Sequence, residues 1–257
     1  MQDLFSVKGK VAVVTGGGQG IGLMITRGLV EAGAKTYISS RKLDVIEGVA
    51  KELSKVGECI PVQADLSTEA GCRSLGEEIA KREDKLHILV NNAGNNWGAP
   101  FEEFPDAGFD RVFALNIKGV FHTTRSLLPL LEKAATAEDP ARIINIGSID
   151  GIRAPFLETY SYSTSKAAVH HLTRVFSRKF APKHITANAI APGPFESKMM
   201  HETLQRFGDA MKSQIPLGRI GRPEDMAGTV IFLASRAGSY LTGTVIPVDG
   251  GTTTDHV

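Results

Sequence analysis

The sequence VAVVTGGGQGIG, residues 11–22, joins a run of mostly β-branched residues to a glycine-rich turn. The run VAVVT is typical of a strand, and Ile21, Ile25 and Leu29 follow it at the spacing of one helix face. A glycine-rich turn between a strand and a helix is the context that a dinucleotide-binding site requires. The glycines are spaced G-x-x-x-G-x-G, and the alternative interpretation is a merely flexible turn.

Three glycines of this turn each have a predicted role. Gly16 permits the tight turn, Gly20 lets the backbone approach a diphosphate, and Gly22 allows the helix to pack closely on the strand. Backbone N–H groups at a helix N-terminus carry partial positive charge and suit phosphate. We therefore predict cofactor contacts along this segment, including Gln19 and Ile21.

Strand-like and helix-like segments alternate along the rest of the chain. Strands are predicted at 11–15, 35–39, 59–63, 87–92, 142–147, 185–191 and 244–249. After the third strand, helical periodicity covers 69–82, 106–133, 160–180 and 223–235. Pro61 lies within the third strand and cannot donate a ladder hydrogen bond, so this strand is predicted at an edge of the sheet.

This order predicts one α/β domain over residues 1–257. Strands that alternate with helices form parallel sheets through right-handed crossovers. We expect a Rossmann-like, doubly wound sheet of about seven strands with helices on both faces. The dinucleotide-binding half is assigned to about 1–150, and the catalytic and substrate-loop half to about 151–257.

The composition of the chain bears on which classes of function can be expected. A formal net charge of +1 over 257 residues shows no bias toward nucleic acid or an anionic membrane. Cys59 and Cys72 make no disulfide framework, and no cluster of His, Cys or Asp has metal-ligand spacing, so no metal is expected. The N-terminus does not resemble a secretory leader, and we expect a cytoplasmic protein without membrane spans.

The end of the second strand bears on cofactor choice. An acid there would hydrogen-bond a ribose 2′-hydroxyl, whereas this sequence has SSRK at 39–42. Ser40, Arg41 and Lys42 could instead hold a 2′-phosphate, because a guanidinium suits phosphate. NADP(H) is therefore favoured over NAD(H), with loop capping as the alternative role of Arg41.

Polar residues also follow the other predicted strands. Asp65, followed by Leu66, could accept from an adenine amino group or serve as a helix N-terminal acid. The turn after the fourth strand contains Asn92, Ala93 and Gly94, the fifth strand ends at Ser148, and the sixth ends at Pro192 and Gly193. Open α/β sheets bind ligands at the carboxyl ends of their strands, so these residues are site candidates.

The sequence YSYSTSK, residues 160–166, contains two tyrosines and a lysine. If it is helical, Tyr162 and Lys166 share a face because they are four residues apart, whereas Tyr160 lies roughly 200° around the helix from Tyr162. An ammonium within about 4–6 Å of a phenol lowers its pKa, which predicts that Tyr162 is a usable proton donor. The alternative is a surface Tyr/Lys pair on an amphipathic helix.

Taken in order, these motifs resemble the short-chain dehydrogenase/reductase family over essentially the whole chain. The resemblance rests on TGGGQGIG, NNAG, Asn116 in LNIKG, Ser148, YSTSK and PG, and extends to TGTVIPVDGG at 242–251. It implies a catalytic tetrad of Asn116, Ser148, Tyr162 and Lys166. Tyr162 would transfer the proton, Ser148 would bind the carbonyl, Lys166 would lower the tyrosine pKa and hold the nicotinamide ribose, and Asn116 would position a water.

Two positions depart from the family pattern. Gln19 stands where NADP-preferring members often carry a basic residue, so the cofactor preference depends mainly on Arg41. Ser197, in PGPFESKM, is expected to supply the hydroxyl that a threonine supplies in many members. The segment 194–213 is predicted to be a mobile lid. His170 and His171 are interpreted as helix-packing or subunit-contact residues.

Within the family, NNAGNNWGAP and EKAATAEDPARIINIGS resemble 3-oxoacyl-thioester reductases, particularly the branch associated with rhamnolipid synthesis. We hypothesise an NADPH-dependent 3-oxoacyl reductase that could accept acyl carrier protein. The alternatives are an NAD(P)-dependent polyol, sugar-acid or secondary-alcohol dehydrogenase and a non-catalytic cofactor-binding protein. The resemblance also implies a homotetramer or homodimer. The predicted substrate residues, which lie beyond the strand ends, are Asn95, Trp97, Asp150, Phe156 and Phe195.

Overall fold

A computed structural model describes residues 2–196, 208 and 212–254. Its centre is one parallel sheet of seven strands in the order β3-β2-β1-β4-β5-β6-β7. The strands are β1 Val11–Thr15, β2 Lys35–Ser40, β3 Cys59–Gln63, β4 Ile88–Asn91, β5 Ala141–Ile146, β6 Ile185–Pro192 and β7 Val245–Val248. The predicted α/β class, strand number and single sheet are confirmed, and Pro61 lies in an edge strand.

The helices lie on both faces of this sheet. They are α1 Gly20–Glu31, α2 Leu43–Leu53, α3 Glu69–Ala80, α4 Asp106–Phe113, α5 Val120–Ala134, α6 Tyr160–Phe180 and α7 Pro223–Ala234. The strand order reverses at β1, which pairs with β2 on one side and β4 on the other. This is the switch point at which doubly wound sheets bind ligands.

Alternate residues of each strand contact helices on opposite faces. Ala12 and Val14 of β1 belong to a core that α1, α2 and α7 complete, whereas Val11 and Val13 belong to a core that α3, α5 and α6 complete. A strand covered on both faces gives a continuous apolar run rather than an alternating pattern. This double burial fixes the sheet and therefore the positions of its carboxyl ends.

The predicted helix at 106–133 is interrupted where it passes the carboxyl ends of the strands. A π-helical segment, Ala114–Gly119, separates α4 from α5 and contains Asn116. A π-turn accommodates an extra residue without ending the helix, and such turns are frequent at functional sites. The hydropathy pattern misses it because the apolar periodicity resumes on the far side.

No helix among the residues that the structure describes is both long and apolar enough to cross a membrane.

Candidate active site

The glycine-rich turn forms a close cradle at the carboxyl end of β1. Gly16 and Gly20 adopt φ values of 65° and 51°, which favour glycine. A Cβ on Gly22 would lie 2.1 Å from the Gly16 carbonyl oxygen, so this position also requires glycine. Ile21, in the first turn of α1, is half-buried.

The N-terminus of α1 retains the properties that a phosphate would need. Gln19 stands at its N-cap, and within the described residues no side chain caps this end and no acid lies in the first turn. Unsatisfied N–H groups therefore point out of the turn without a competing negative charge. The cradle thus fits a dinucleotide diphosphate.

Arg41 lies exposed in the loop that follows β2. Its carbonyl accepts from Gln63 Nε2 at 3.0 Å, while Ser40 Oγ accepts from the backbone N–H of Lys42 at 3.1 Å. The Arg41 guanidinium is also near enough to Asp65 to help lower the pKa of that carboxyl. These three residues form a basic, partly exposed loop at the end of β2.

Asp65 is held in a turn at the start of the α3 segment. Its carboxylate accepts from Ser67 N and Ser67 Oγ at 3.1 and 2.7 Å, and the Ser67 hydroxyl bond is the main cause of its lowered pKa. These direct contacts support the interpretation of Asp65 as an acid near the helix N-terminus, whereas a contact with adenine stays a prediction. Leu66 is buried behind it.

The NNAG turn connects the ends of β4 and β1 through Thr15. The backbone N–H groups of Asn92 and Ala93 donate to Thr15 Oγ1 at 2.9 and 3.0 Å, and Asn92 Nδ2 donates to the Thr15 carbonyl at 2.9 Å. Sequence reasoning missed Thr15, although a hydroxyl residue that ends a buried strand was a usable signal.

The four residues of the predicted tetrad come together around Gly94 and α6. A Cβ on Gly94 would lie 3.2 Å from Asn116 Oδ1 and 3.6 Å from Lys166 Nζ. Lys166 Nζ lies 5.5 Å from the centroid of the Tyr162 ring and donates to the Ile146 carbonyl at 2.8 Å. The Ser148 hydroxyl lies close enough to the Tyr162 phenol to lower the pKa of that phenol.

Asn116 is connected to α6 through a residue that sequence reasoning missed. Its Nδ2 donates to Ser165 Oγ at 2.9 Å, and Ser165 Oγ donates to the Tyr162 carbonyl at 2.7 Å. Asn116 also exchanges hydrogen bonds with the backbone N–H and carbonyl of Asn95, at 3.0 and 3.1 Å. The π-helical segment is therefore bonded both to the NNAG loop and to the helix that carries Tyr162.

The pKa values of Tyr162 and Lys166 are both shifted from their ordinary values. The pKa of Tyr162 is raised to about 12, mainly by burial and in addition by the Asp150 charge, against the lowering effect of the Ser148 hydroxyl. Burial lowers the pKa of Lys166 to about 8, against the opposing effect of Asp150. Desolvation therefore dominates the Tyr162 pKa, and a lowering effect of Lys166 on it stays a prediction.

Tyr160 has a different environment from Tyr162, as the helix spacing predicts. Its ring packs edge-on against Phe101 and Phe104, with centroids 5.5 and 5.4 Å apart, and its hydroxyl donates to Glu158 Oε1 at 3.0 Å. Tyr160 therefore belongs to an aromatic cluster beside the site.

The structure separates the predicted substrate residues into two groups. Asp150 is half-buried beside Lys166, and Phe156 is fully exposed. Asn95 and Trp97 instead anchor their loop to α4, since Asn95 Nδ2 donates to the Arg111 carbonyl at 3.3 Å and the Trp97 ring lies 5.7 Å from the Arg111 guanidinium.

Phe195, which the sequence predicts to be a substrate residue, is buried. Its side chain is 2% exposed and packs against Gly221, where a Cβ would lie 2.3 Å from the Phe195 Cζ atom. The apolar core on the α1 and α7 side takes up this ring because it follows β6 directly.

The segment after β6 is described only in part. β6 ends at Pro192, and Gly193 packs so closely on β7 that a Cβ would lie 2.8 Å from the Asp249 Cα atom. Ser197 and most of the predicted lid, 194–213, lie outside the described residues.

Comparison with known proteins points to the same family as the motifs. The profile of the family described as enoyl-(acyl carrier protein) reductase matches residues 16–253. A short-chain dehydrogenase/reductase of Diaporthe leptostromiformis, PhomF, is 37% identical over 97% of this chain and 93% of its own length. The chain belongs to the short-chain dehydrogenase/reductase family of oxidoreductases.

Two further matches, one to a sequence and one to a solved structure, show higher identity. The rhamnolipids biosynthesis 3-oxoacyl-(acyl-carrier-protein) reductase of Pseudomonas aeruginosa is 47% identical over 98% of this chain and 99% of its own. A solved Pseudomonas aeruginosa RhlG/NADP active-site complex superposes with a TM-score of 0.95 at 46% identity, covering 98% of this chain and 99% of the other.

Proposed function

We propose that the protein is an NADPH-dependent reductase that converts a 3-oxoacyl thioester to its 3-hydroxyacyl form. The observation that carries this proposal is the pair of neighbouring hydroxyls, Ser148 and Tyr162, beside Lys166 at the carboxyl edge of the sheet. A carbonyl oxygen that accepts from both hydroxyls would be polarised by Ser148 and protonated by Tyr162. Bound NADPH would supply the hydride.

Lys166 and Asn116 would support the proton donor. With a pKa of about 8, Lys166 can carry a proton near neutral pH and release it. Asn116 lies next to both Gly94 and the Ser165 hydroxyl, so it can position a water between Lys166 and the solvent. The protein would thereby hold and replace the proton that leaves Tyr162.

The preference for NADP(H) is proposed on the basic loop Ser40–Lys42. Its exposed Arg41 can reach a 2′-phosphate, and no acid stands at the end of β2 to repel one. The similarity to a protein solved with NADP supports the same assignment.

An acyl substrate is proposed rather than a polyol because of the apolar residues that follow Ser148. Ile152, Phe156 and Leu157 are 46%, 102% and 50% exposed, a costly arrangement unless another surface covers them. An alkyl chain would bury these side chains, whereas a sugar would not. The similarity to a 3-oxoacyl-(acyl-carrier-protein) reductase supports an acyl carrier protein as the donor of the thioester.

A homodimer or homotetramer is also proposed. The outer faces of α4, α5 and α6 carry Phe109, Phe121 and Val175, which are 40%, 43% and 49% exposed. A second copy of the chain on this face would cover them. Light scattering of the purified protein tests the proposal, and a monomer at all concentrations would contradict it.

The function is tested by the initial rate of NADPH oxidation with a 3-oxoacyl thioester, measured as the carrier-protein and the coenzyme A derivative. NADH replaces NADPH in the matched assay, and polyol oxidation with NADP⁺ or NAD⁺ is the competing reaction. Thioester reduction that depends on NADPH is the expected result. Turnover of polyols alone, by protein that binds NADP(H), would support the alternative dehydrogenase.

A further inference from the structure

A buried histidine outside the predicted tetrad contacts the turn that carries Ser148. His170 is 4% exposed and lies on α6, one helical turn beyond Lys166 and two beyond Tyr162. Residues at this spacing share one face of a helix. His170 is therefore directed toward the same strand end as the two predicted catalytic side chains.

The imidazole lies against both glycines that flank the Ser148 turn. A Cβ on Gly147 would lie 2.1 Å from His170 Nε2, and a Cβ on Gly151 would lie 2.9 Å from His170 Cε1. The ring therefore occupies the space that side chains at these two positions would need. Gly151 also packs on the α6 backbone, where its Cβ would lie 2.6 Å from the Lys166 carbonyl carbon.

The imidazole also lies close to the backbone at the end of this turn. The Gly151 backbone raises the pKa of His170, as a carbonyl oxygen near an imidazole N–H does. Nε2 has no hydrogen-bond partner within residues 2–196, 208 and 212–254, so Nδ1 is the nitrogen from which the ring can donate to the Gly151 carbonyl. Burial and the charge of Lys166 nevertheless lower the pKa of His170 to about 4, so the ring is a neutral donor at neutral pH.

Ser148 belongs to the same hydrogen-bonded turn as Gly151. Gly151 N donates to the Ser148 carbonyl at 3.0 Å, and Asp150 N donates to Ser148 Oγ at 3.1 Å. Holding the Gly151 carbonyl therefore restrains the Ser148 hydroxyl. Ser148 and Tyr162 come from separate elements, so a contact between the turn and α6 must set their separation.

We propose that His170 is a positioning residue that fixes the Ser148 hydroxyl relative to the Tyr162 phenol. The inference rests on the function proposed above, in which both hydroxyls bind one carbonyl oxygen. His170 acts through Ser148 and does not itself exchange a proton with the substrate.

Three variants separate this role from general packing. His170→Leu fills a similar space but cannot donate, and should lower kcat about 10- to 100-fold with little change in KM. His170→Asn keeps an amide donor near the position of Nδ1 and should recover most of that loss. His171→Asn changes the exposed neighbouring histidine and should leave kcat unchanged. If His170→Leu does not fold, His170→Val replaces it.

The decisive measurement is whether the effects of the His170 and Ser148 substitutions on turnover are additive. In a Ser148→Ala background, His170→Leu should cause little further loss of turnover, because residues that act through one another are not additive. Unchanged kcat in His170→Leu, no recovery in His170→Asn, or a full additional loss in the Ser148→Ala background would each overturn the inference. Normal turnover by Ser148→Ala itself would overturn the proposed site as well.

Discussion

Tyr162 differs from Tyr160 in what its phenol contacts, although both lie in the first turn of α6. The Tyr162 hydroxyl lies beside the Ser148 hydroxyl at the sheet edge, whereas the Tyr160 hydroxyl donates to Glu158 beside an aromatic cluster. Tyr162→Phe should therefore abolish carbonyl reduction while NADPH still binds. Titration of the nucleotide by fluorescence, with Tyr160→Phe as the matched control, checks this prediction, and retained turnover would contradict the assigned mechanism.

Asp150 is the carboxylate whose charge acts on both Tyr162 and Lys166. It raises the pKa of each group, so Asp150→Asn should lower both. Reduction requires protonated Tyr162, and the alkaline limb of the kcat/KM profile should therefore move to lower pH by about 0.5–1 unit. Glu158→Gln removes a carboxylate next to Tyr160 instead and should leave the profile in place. A shift to higher pH in Asp150→Asn would exclude this electrostatic role.

Arg41 offers a residue-level test of cofactor choice. A charge-assisted hydrogen bond to a 2′-phosphate contributes about 1.5–3 kcal/mol, so Arg41→Ala should weaken kcat/KM for NADPH about 10-fold or more. The value for NADH should change little, because that cofactor lacks the phosphate. Equal losses with both cofactors would show that Arg41 merely supports its loop.

The crossing of α1 and α7 depends on a helical glycine. A Cβ on Gly28 would lie 2.5 Å from the Ala227 Cβ atom, whereas a Cβ on Gly48 of α2 would meet nothing within 4 Å. Gly28→Ala should lower the free energy of unfolding by about 1–3 kcal/mol through overpacking. Gly48→Ala should raise it by about 0.5–1 kcal/mol, because alanine favours the helix. Urea denaturation of the two variants compares them, and stabilisation by Gly28→Ala would show that the helices can separate at no cost.

At the level of elements, most boundaries were predictable. The strand Val11–Thr15 and the helix Tyr160–Phe180 coincide with their predicted ranges, because residues near their ends indicate where each begins and ends. The π-helical segment Ala114–Gly119 was not predicted. Its side chain Asn116 bonds to Asn95 and Ser165, and contacts between distant parts of the chain leave no periodic trace.

Acid sensitivity is a property of the whole molecule to which buried His170 contributes. Its pKa of about 4 in the folded protein lies below the ordinary 6.5, so the unfolded chain binds the proton first. The contribution of His170 to the free energy of unfolding is complete above about pH 6.5 and is lost as the pH falls toward 4. This loss is at most about 3 kcal/mol.

The difference in unfolding free energy between about pH 7 and about pH 4.5 measures this effect. The His170→Leu variant should show a smaller difference than the unmodified protein, even though the variant is less stable at neutral pH. His171→Asn serves as the exposed control. An unchanged difference in His170→Leu would assign the acid sensitivity to other groups, such as the partly buried His87, whose pKa burial also lowers.

By itself, the sequence determined the order of strands and helices, the glycine cradle and the choice of Tyr162 over Tyr160. Each depends on residues within one or two turns of each other, where spacing along the chain fixes spacing in space. Only the tertiary structure decided that burial raises the Tyr162 pKa, that Phe195 is buried against Gly221, and that His170 lies against the Ser148 turn. Desolvation and packing are set by residues from distant segments, and no local pattern records them.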